Sequence, residues 1–303
     1  MKKFAFIAVV AFLFHSDAQS QTNESYSEFG VMLGTSYYLG DLNDKHFRQT
    51  QAAGNIHYRY NLNNRLAIRA GFTAGQIRGS DKLNRVDTAK FNRNLHFRSN
   101  IYELSGVVEF NFLPYETGNR RFPFSPYIFT GLAIYNFNPQ ARQFDTQNPF
   151  DNDGTDSNNP WLDLQPLGTE GQYSSHYPEK APYQLIQFAI PVGIGLKLSV
   201  GEHMHIGLEY GMRKLFTDYL DDVGGRYADP QYLAMENMNA ALLSDKSNAL
   251  ANYLRDNPGA DITTWTGNTG AARANENDWT DWYQFAAFSI AFKIDKKSKV
   301  CQY

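Results

Sequence analysis

The chain has 303 residues, 22 Phe and 19 Tyr among them, one cysteine and a formal net charge of -3. A lone cysteine excludes an intramolecular disulfide, and so slight a negative charge excludes the basic surface that nucleic acid requires. A mean hydropathy of -0.50, with no later run of 18 apolar residues, excludes a helical membrane protein.

The first residues, Met1-Lys2-Lys3, lead into an apolar run from Phe4 to Phe14 and then the small-residue stretch around Ser16, Ala18 and Ser20. This pattern predicts a signal peptide over residues 1–18, cleaved after Ala18, since about 11 apolar residues fall short of the roughly 20 a spanning helix needs. No cysteine lies near the cleavage point, so no lipid anchor on a mature N-terminal cysteine is expected. The mature chain, residues 19–303, carries a charge of about -4.

Segments of about ten residues with alternating character then recur, as expected where a strand shows every second side chain to lipid. Phe29 to Leu39 places Phe29, Val31, Leu33, Tyr37 and Leu39 on one face and Gly30, Gly34 and Ser36 on the other. Ala52 to Leu62 sets Ile56, Tyr58, Tyr60 and Leu62 against Asn55, His57 and Arg59, and Leu66 to Ala74 sets Leu66, Ile68 and Phe72 against Arg69 and Thr73. Phe97 to Phe112 opposes Tyr102, Leu104, Val108, Phe110 and Phe112 to Glu103, Ser105, Glu109 and Asn111. Tyr127 to Tyr135 is apolar on both faces, so pattern alone does not set its register. Leu185 to Leu198 alternates with Lys197 inward and requires an unpaired ladder position or bulge at Pro191. Met204 to Phe216 opposes Met204, Ile206, Leu208, Tyr210 and Met212 to His205, Glu209 and Arg213, and Trp282 to Ile294 closes the set.

Eight such strands predict an all-β fold, an eight-stranded antiparallel transmembrane β-barrel of the outer membrane, closed because an open edge in hydrocarbon strands backbone polar groups. The three longest connections are the third, fifth and seventh, those that face outward when the first strand starts in the periplasm. In the fifth, Gln140 to Asn159 is polar, with a turn at Asn152-Asp153-Gly154; in the seventh, Asp229-Pro230 opens a capped helix or helix pair running to Asp256, an insertion over about 229–256.

The inward set His57, Arg59, Arg69, Glu103, Glu109, His205, Glu209 and Arg213 mixes both signs, which predicts a salt-bridged lumen network and no wide pore. The fourth connection, from Leu113 to Phe124, is longer than a tight turn and carries Arg120 and Arg121, a candidate partner-facing periplasmic turn. His203 and His205 form an HxH with no third ligand in evidence, and Asp218, Asp221, Asp222 and Asp229 lack the spacing of a calcium loop, so no metal and no cofactor are expected. A lipid hydrolase requires a nucleophile and base on the outer wall, whereas His57 and His205 both fall inward; the expectation is a protein that is not an enzyme. Cys301 is either an inert terminal thiol or a partner-pairing one.

Two stretches resemble a known family. Ser27 to Asn43, SEFGVMLGTSYYLGDLN, resembles the opening strand of PorG-like proteins, outer-membrane barrels of the Bacteroidetes type IX secretion system. Phe216 to Val223, FTDYLDDV, with Arg226-Tyr227 and Asp229-Pro230 beyond it, resembles the motif with which that family leaves its seventh strand. The matching positions Gly34, Tyr38, Gly40, Asp41, Thr217, Asp218, Tyr219, Asp221 and Asp222 are read as structural: Tyr219 at the membrane interface, with Asp218, Asp221 and Asp222 accepting backbone bonds and starting the Pro230 helix. The resemblance implies a non-enzymatic component of a protein secretion machine. It also implies outer-membrane lipids around the barrel and, as partners, a periplasmic ring of PorK- and PorN-like proteins (GldK- and GldN-like in gliding species). The alternative is a small porin or ligand-binding barrel.

Overall fold

A computed structural model describes residues 25–83, 87–149, 159–274 and 280–294. The expected signal peptide, the Asn152-Asp153-Gly154 turn and Cys301 lie outside the described residues. The strands are β1 (Tyr26–Leu39), β2 (Gln51–Asn61), β3 (Leu66–Ser80), β4 (His96–Asn111), β5 (Phe124–Arg142), β6 (Trp161–Asp163), β7 (Ile186–Val200), β8 (Met204–Leu215) and β9 (Trp282–Ile294). Eight of them close a ring in the order β1-β2-β3-β4-β5-β7-β8-β9 and back to β1, every neighbour antiparallel. The sequence pattern does not anticipate β6, which pairs with Gln140–Arg142 at the far end of β5.

The pleat sorts the side chains. Phe29, Leu33, Ile68, Leu104, Ile194 and Leu208 stand exposed on the wall while Glu28, Arg59, Glu109 and Arg213 are buried inside. A predominantly apolar exterior on a ring without edges is stable in hydrocarbon and aggregates in water, and the molecule is an outer-membrane β-barrel. Among the described residues no helix is long and apolar enough to cross a membrane. In β5 the structure sets the register that alternation left open: Tyr127, Phe129, Ala133, Tyr135 and Phe137 turn inward, and Ile128, Leu132 and Ile134 face lipid. The β5–β7 ladder runs to Thr130–Val192 and resumes at Ala133–Ala189, so Pro191 occupies the expected gap.

Short turns gather at the end that holds both β1's start and β9's finish, the periplasmic end by the short-turn, long-loop rule. Asn63 Oδ1 accepts from the Arg65 and Leu66 amides to form one of them, and Gly201, at φ 69°, forms another where a Cβ-bearing residue is strained. The opposite end carries helices α1 (Thr88–Arg93), α2 (Pro230–Glu236), α3 (Met238–Ser244) and α4 (Asn248–Asp256). The insertion is therefore three short helices, not one or two. Asn237 and Ser247 each interrupt the helical run by capping the next helix through their side chains.

Candidate functional site

Buried side chains occupy the lumen from its periplasmic mouth to its outer one. At the periplasmic mouth the connection between β4 and β5 bends back under the barrel, burying Tyr115 and Thr117. Thr117 Oγ1 donates to Glu28 Oε1 at 2.5 Å, the Thr117 amide donates to Tyr26 Oη, and the Tyr115 ring meets His205 edge-on. That connection thus plugs the mouth with its first half and exposes Arg120 and Arg121 with its second.

Above it lies a connected ionic network. Arg59 contacts Glu28 at 3.0 Å and Glu109 at 2.9 Å, and His205 lies 3.1 Å from both Glu28 and Arg59. Glu109 also receives Arg69 at 2.9 Å and Lys197 at 2.5 Å. Arg69 grips Glu209 with two nitrogens, at 2.6 and 3.0 Å, and Tyr127 donates to the same carboxylate. One level higher, Arg213 holds Glu103 at 2.8 and 3.2 Å, and Tyr283 and Thr73 donate to it. Four carboxylates thus meet four cations, all buried, so each costly desolvation is offset by paired, hydrogen-bonded contacts. The eight residues expected to face the lumen do face it. His57 lies apart from the pairs, its Nδ1 3.1 Å from Asn55. Glu28 and Lys197 belong to the network and are absent from the expected set: Glu28 precedes the stretch recognised as strand, and Lys197 sits as one cation among glycines. Strand parity already turns Lys197 inward, and finds Glu28 once β1 is begun at Tyr26.

The outer mouth is closed by a lid in which the four outer connections interlock. Arg93, at the end of α1, pairs with Asp81 through two nitrogens and donates to the carbonyls of Asp41 and Arg273. Arg273 in turn reaches Glu170 at 3.1 Å and the Asp222 carbonyl at 2.5 Å, while Thr169 and Tyr183 donate to the Asp222 carboxylate at 2.5 and 2.8 Å. Beneath them Tyr38, Leu42, Ile77, Phe97, Phe137, Leu220 and Val223 form an apolar floor.

The two stretches that resemble a family converge in this lid. The Tyr38 hydroxyl lies 2.5 Å from Asp221 Oδ2 and 2.9 Å from Asp281 Oδ1, and the latter residue accepts from the Leu220 amide. One hydroxyl proton serves one of the two contacts, so the second requires a proton kept on the carboxyl pair. Burial raises both carboxyls well above the usual range; Asp41 adds to the rise for Asp221, and Asp221 for Asp281. Burial also lifts Asp222 to about 6, against the pull of Arg273. Gly34 admits no Cβ, since one placed there meets the Ala286 carbonyl of the neighbouring strand, and Gly40 packs directly on Tyr38 and Asp281.

Several expected placements are corrected. Tyr37 lies on the outward side of the pleat but is fully covered, by the ring of Phe47 at 5.2 Å. Tyr219 is not at the membrane interface: it stacks on Tyr183 at 5.0 Å and donates to Glu170 inside the lid, with Thr217 Oγ1 accepting from its amide. Asp229 alone caps the Pro230 helix; Asp221 binds the Val223 amide, Asp222 serves the lid, and Asp218 lies half-buried beside them. His203 sits exposed in the β7–β8 turn while His205 is buried in the lumen, so the HxH pair does not share one face. Among the described residues no three His, Cys, Asp or Glu side chains cluster as metal ligands do. Between α1 and α4 a polar cleft of about 570 Å³ opens outward, lined by Lys90, Asn92, Asn248, Asn252 and Asn268.

Among solved structures the chain is similar to Neisserial surface protein A, at 8% identity and a TM-score of 0.40, covering 89% of this chain and 99% of that one. It is similar also to Ail, the attachment invasion locus protein of Yersinia pestis, at 10% and 0.39 over 89% and 99%, and to OprG from Pseudomonas aeruginosa, at 7% and 0.35 over 90% and 99%. The strand ladders establish the fold independently of these likenesses. No curated protein matches the chain. The family model that matches covers residues 2–158, just over half of the chain, and the chain belongs to that family, a domain of unknown function, DUF6089.

Proposed function

We propose that this barrel is a non-enzymatic scaffold of a protein secretion machine, of the type IX kind, which docks a periplasmic lipoprotein ring of PorK- and PorN-like proteins. The observation that carries the reading is the double closure of the lumen. A barrel filled by paired ions and plugged at both mouths has its working surfaces at its ends and on its wall. The resemblance of Ser27–Asn43 and Phe216–Val223 to PorG-like sequences supports the secretion role, and the meeting of those stretches at Tyr38 supports reading them as one structural unit. On the periplasmic end, Arg120 and Arg121 stand exposed on a connection braced by its buried half, a fixed cationic feature for a partner to read.

Mild crosslinking in the native outer membrane, followed by affinity purification and mass spectrometry, tests this. Ring proteins recovered with the barrel, and lost on Arg120→Ser/Arg121→Ser substitution, are the expected result; the barrel alone overturns it. A ligand-binding barrel is the second reading, favoured by the amide-lined outer cleft. Planar-bilayer conductance separates the porin version, since a filled lumen is expected to give no steady channel.

A further inference from the structure

The first outer connection begins in the lid, where Leu42 is buried, but residues 44–49 then fold down the outside of the wall. Phe47 packs on Tyr37 of β1 at 5.2 Å and on Tyr210 of β8 at 6.0 Å, crossing β9 between them. His46 Nδ1 lies 3.0 Å from the Tyr37 hydroxyl, which lies 2.8 Å from that of Tyr210. Phe47 and Gln49 adopt φ of 58° and 55°, a left-handed backbone that residues with a Cβ hold only when their surroundings enforce it.

This strap carries Lys45 and His46 exposed, and on β8 Lys214 stands two residues beyond the Tyr37–Gln284–Met212 row beside which the strap packs. Lys214 lies over the Trp282 ring at 4.8 Å and donates to Thr280 Oγ1. Among the described residues neither Lys45 nor Lys214 meets a carboxylate, in contrast to every cation of the lumen network. An apolar groove of about 670 Å³ opens on the same wall, lined by Ile194, Leu196, Leu208, Tyr210, Ala286 and Phe288. Tyr210 belongs to both features, so the groove runs up to the underside of the strap. Between them Gln284 pairs with Tyr37 and Met212, stands on the outward side of the pleat and is only 1% exposed, and its Oε1 has no hydrogen-bond partner.

We propose that this face of the barrel binds a phosphate-bearing, hydroxyl-rich lipid of the outer leaflet, with its phosphate at Lys45 and Lys214 and an acyl chain in the groove below Tyr210. Lys214 is four residues from Tyr210 along β8, roughly 13 Å at strand rise, the scale on which a headgroup gives way to its chain. Two ammonium groups that meet no carboxylate among the described residues, above an aromatic belt, are complementary to phosphate at the membrane interface. A headgroup hydroxyl supplies the donor that the Gln284 carbonyl lacks when the strap yields. The small side chain of Ala286 keeps the floor of the groove low beside Tyr210 and Phe288.

Native mass spectrometry of the full chain, extracted from phosphatidylcholine vesicles doped with phosphatidylglycerol of the same acyl chains, tests the site. The expected result is about tenfold enrichment of bound phosphatidylglycerol over its share of the vesicle. Lys45→Gln/Lys214→Gln abolishes the enrichment, and Ala286→Phe lowers retention of both lipids. Excess inorganic phosphate leaves the bound lipid in place. Equal retention of the two lipids, or undiminished enrichment in the lysine double variant, overturns the proposal. Displacement by inorganic phosphate alone assigns the cations to free phosphate and overturns the lipid assignment. Both lysines stand on the outside of the wall, away from the lumen network, so the folded barrel is expected to survive their replacement.

Discussion

In the lower lumen each carboxylate lies within 3.0 Å of a cation, whereas in the outer lid Asp221 and Asp281 share a tyrosine hydroxyl with no cation of their own at that distance. Both clusters are buried and both are satisfied, but by different means. The network is held by opposite charges on strands that the ladder fixes; the lid has ion pairs of its own, at Arg93 and Arg273, but adds at Tyr38 a retained proton between loops. The first keeps its geometry because the β-ring cannot open, and at Tyr38 the second is joined only as firmly as Asp221 and Asp281 keep their shared proton. Function that needs a rigid body belongs to the barrel, and any responsive behaviour belongs to the lid.

The comparison breaks most severely at Glu109, which serves Arg59, Arg69 and Lys197 at once. Glu109→Gln leaves three buried cations short of a carboxylate and is expected to cost about 3–5 kcal/mol, read as a shift of the urea unfolding midpoint in lipid vesicles. A change below about 1 kcal/mol would mean that water reaches the lumen and screens the network.

The lid should respond to pH instead. Asp222 titrates near 6 when folded and near 3.8 otherwise, so the folded lid holds the extra proton, and its stability is fully present below pH 4 and falls as pH rises to 6. The loss is on the order of 3 kcal/mol across that window. Asp221 and Asp281, raised in the same direction, extend the decline to higher pH. Hydrogen exchange of residues 216–274 should accelerate over the window while the β-strands stay protected, and Asp222→Asn should flatten the response between pH 4 and 6. Exchange that slows as pH rises, after correction for intrinsic rate, would contradict the assignment.

Tyr38→Phe deletes the shared hydroxyl and leaves Asp221 and Asp281 facing each other. Lid protection is expected to fall by about 1–3 kcal/mol, with the barrel's own unfolding midpoint unmoved. Arg120→Ser and Arg121→Ser, exposed on the periplasmic connection, should change stability by less than about 0.5 kcal/mol. A larger loss would show that these arginines brace the plug formed by Tyr115 and Thr117.

Much of the barrel is legible in the amino-acid sequence, because a strand between lipid and a wet lumen must alternate. Six of the eight wall strands declare their faces this way, and Trp282–Ile294 begins and ends where the pattern places it. Parity alone sends Arg59, Arg69, Glu103, Glu109, Glu209 and Arg213 inward. It does not choose partners: which carboxylate meets which cation depends on how the ring closes and staggers, and contacts such as Arg69 with Glu209 join strands far apart in the chain. The fifth strand shows the same limit, since apolar residues on both faces suit lipid and lumen equally until Tyr127 finds Glu209.

The lid was the least legible part. Asp222, Arg273 and Glu170 come from separate connections, and no local periodicity links them. Sequence by itself determined an exported, closed, apolar-walled barrel with a charged interior, because the pleat and the hydrocarbon impose a two-residue rhythm. Only the tertiary structure decided that the lumen is plugged at both ends, that the first connection straps the outer wall, and that Tyr38 joins Asp221 to Asp281, because those contacts depend on where loops land after the ring has closed.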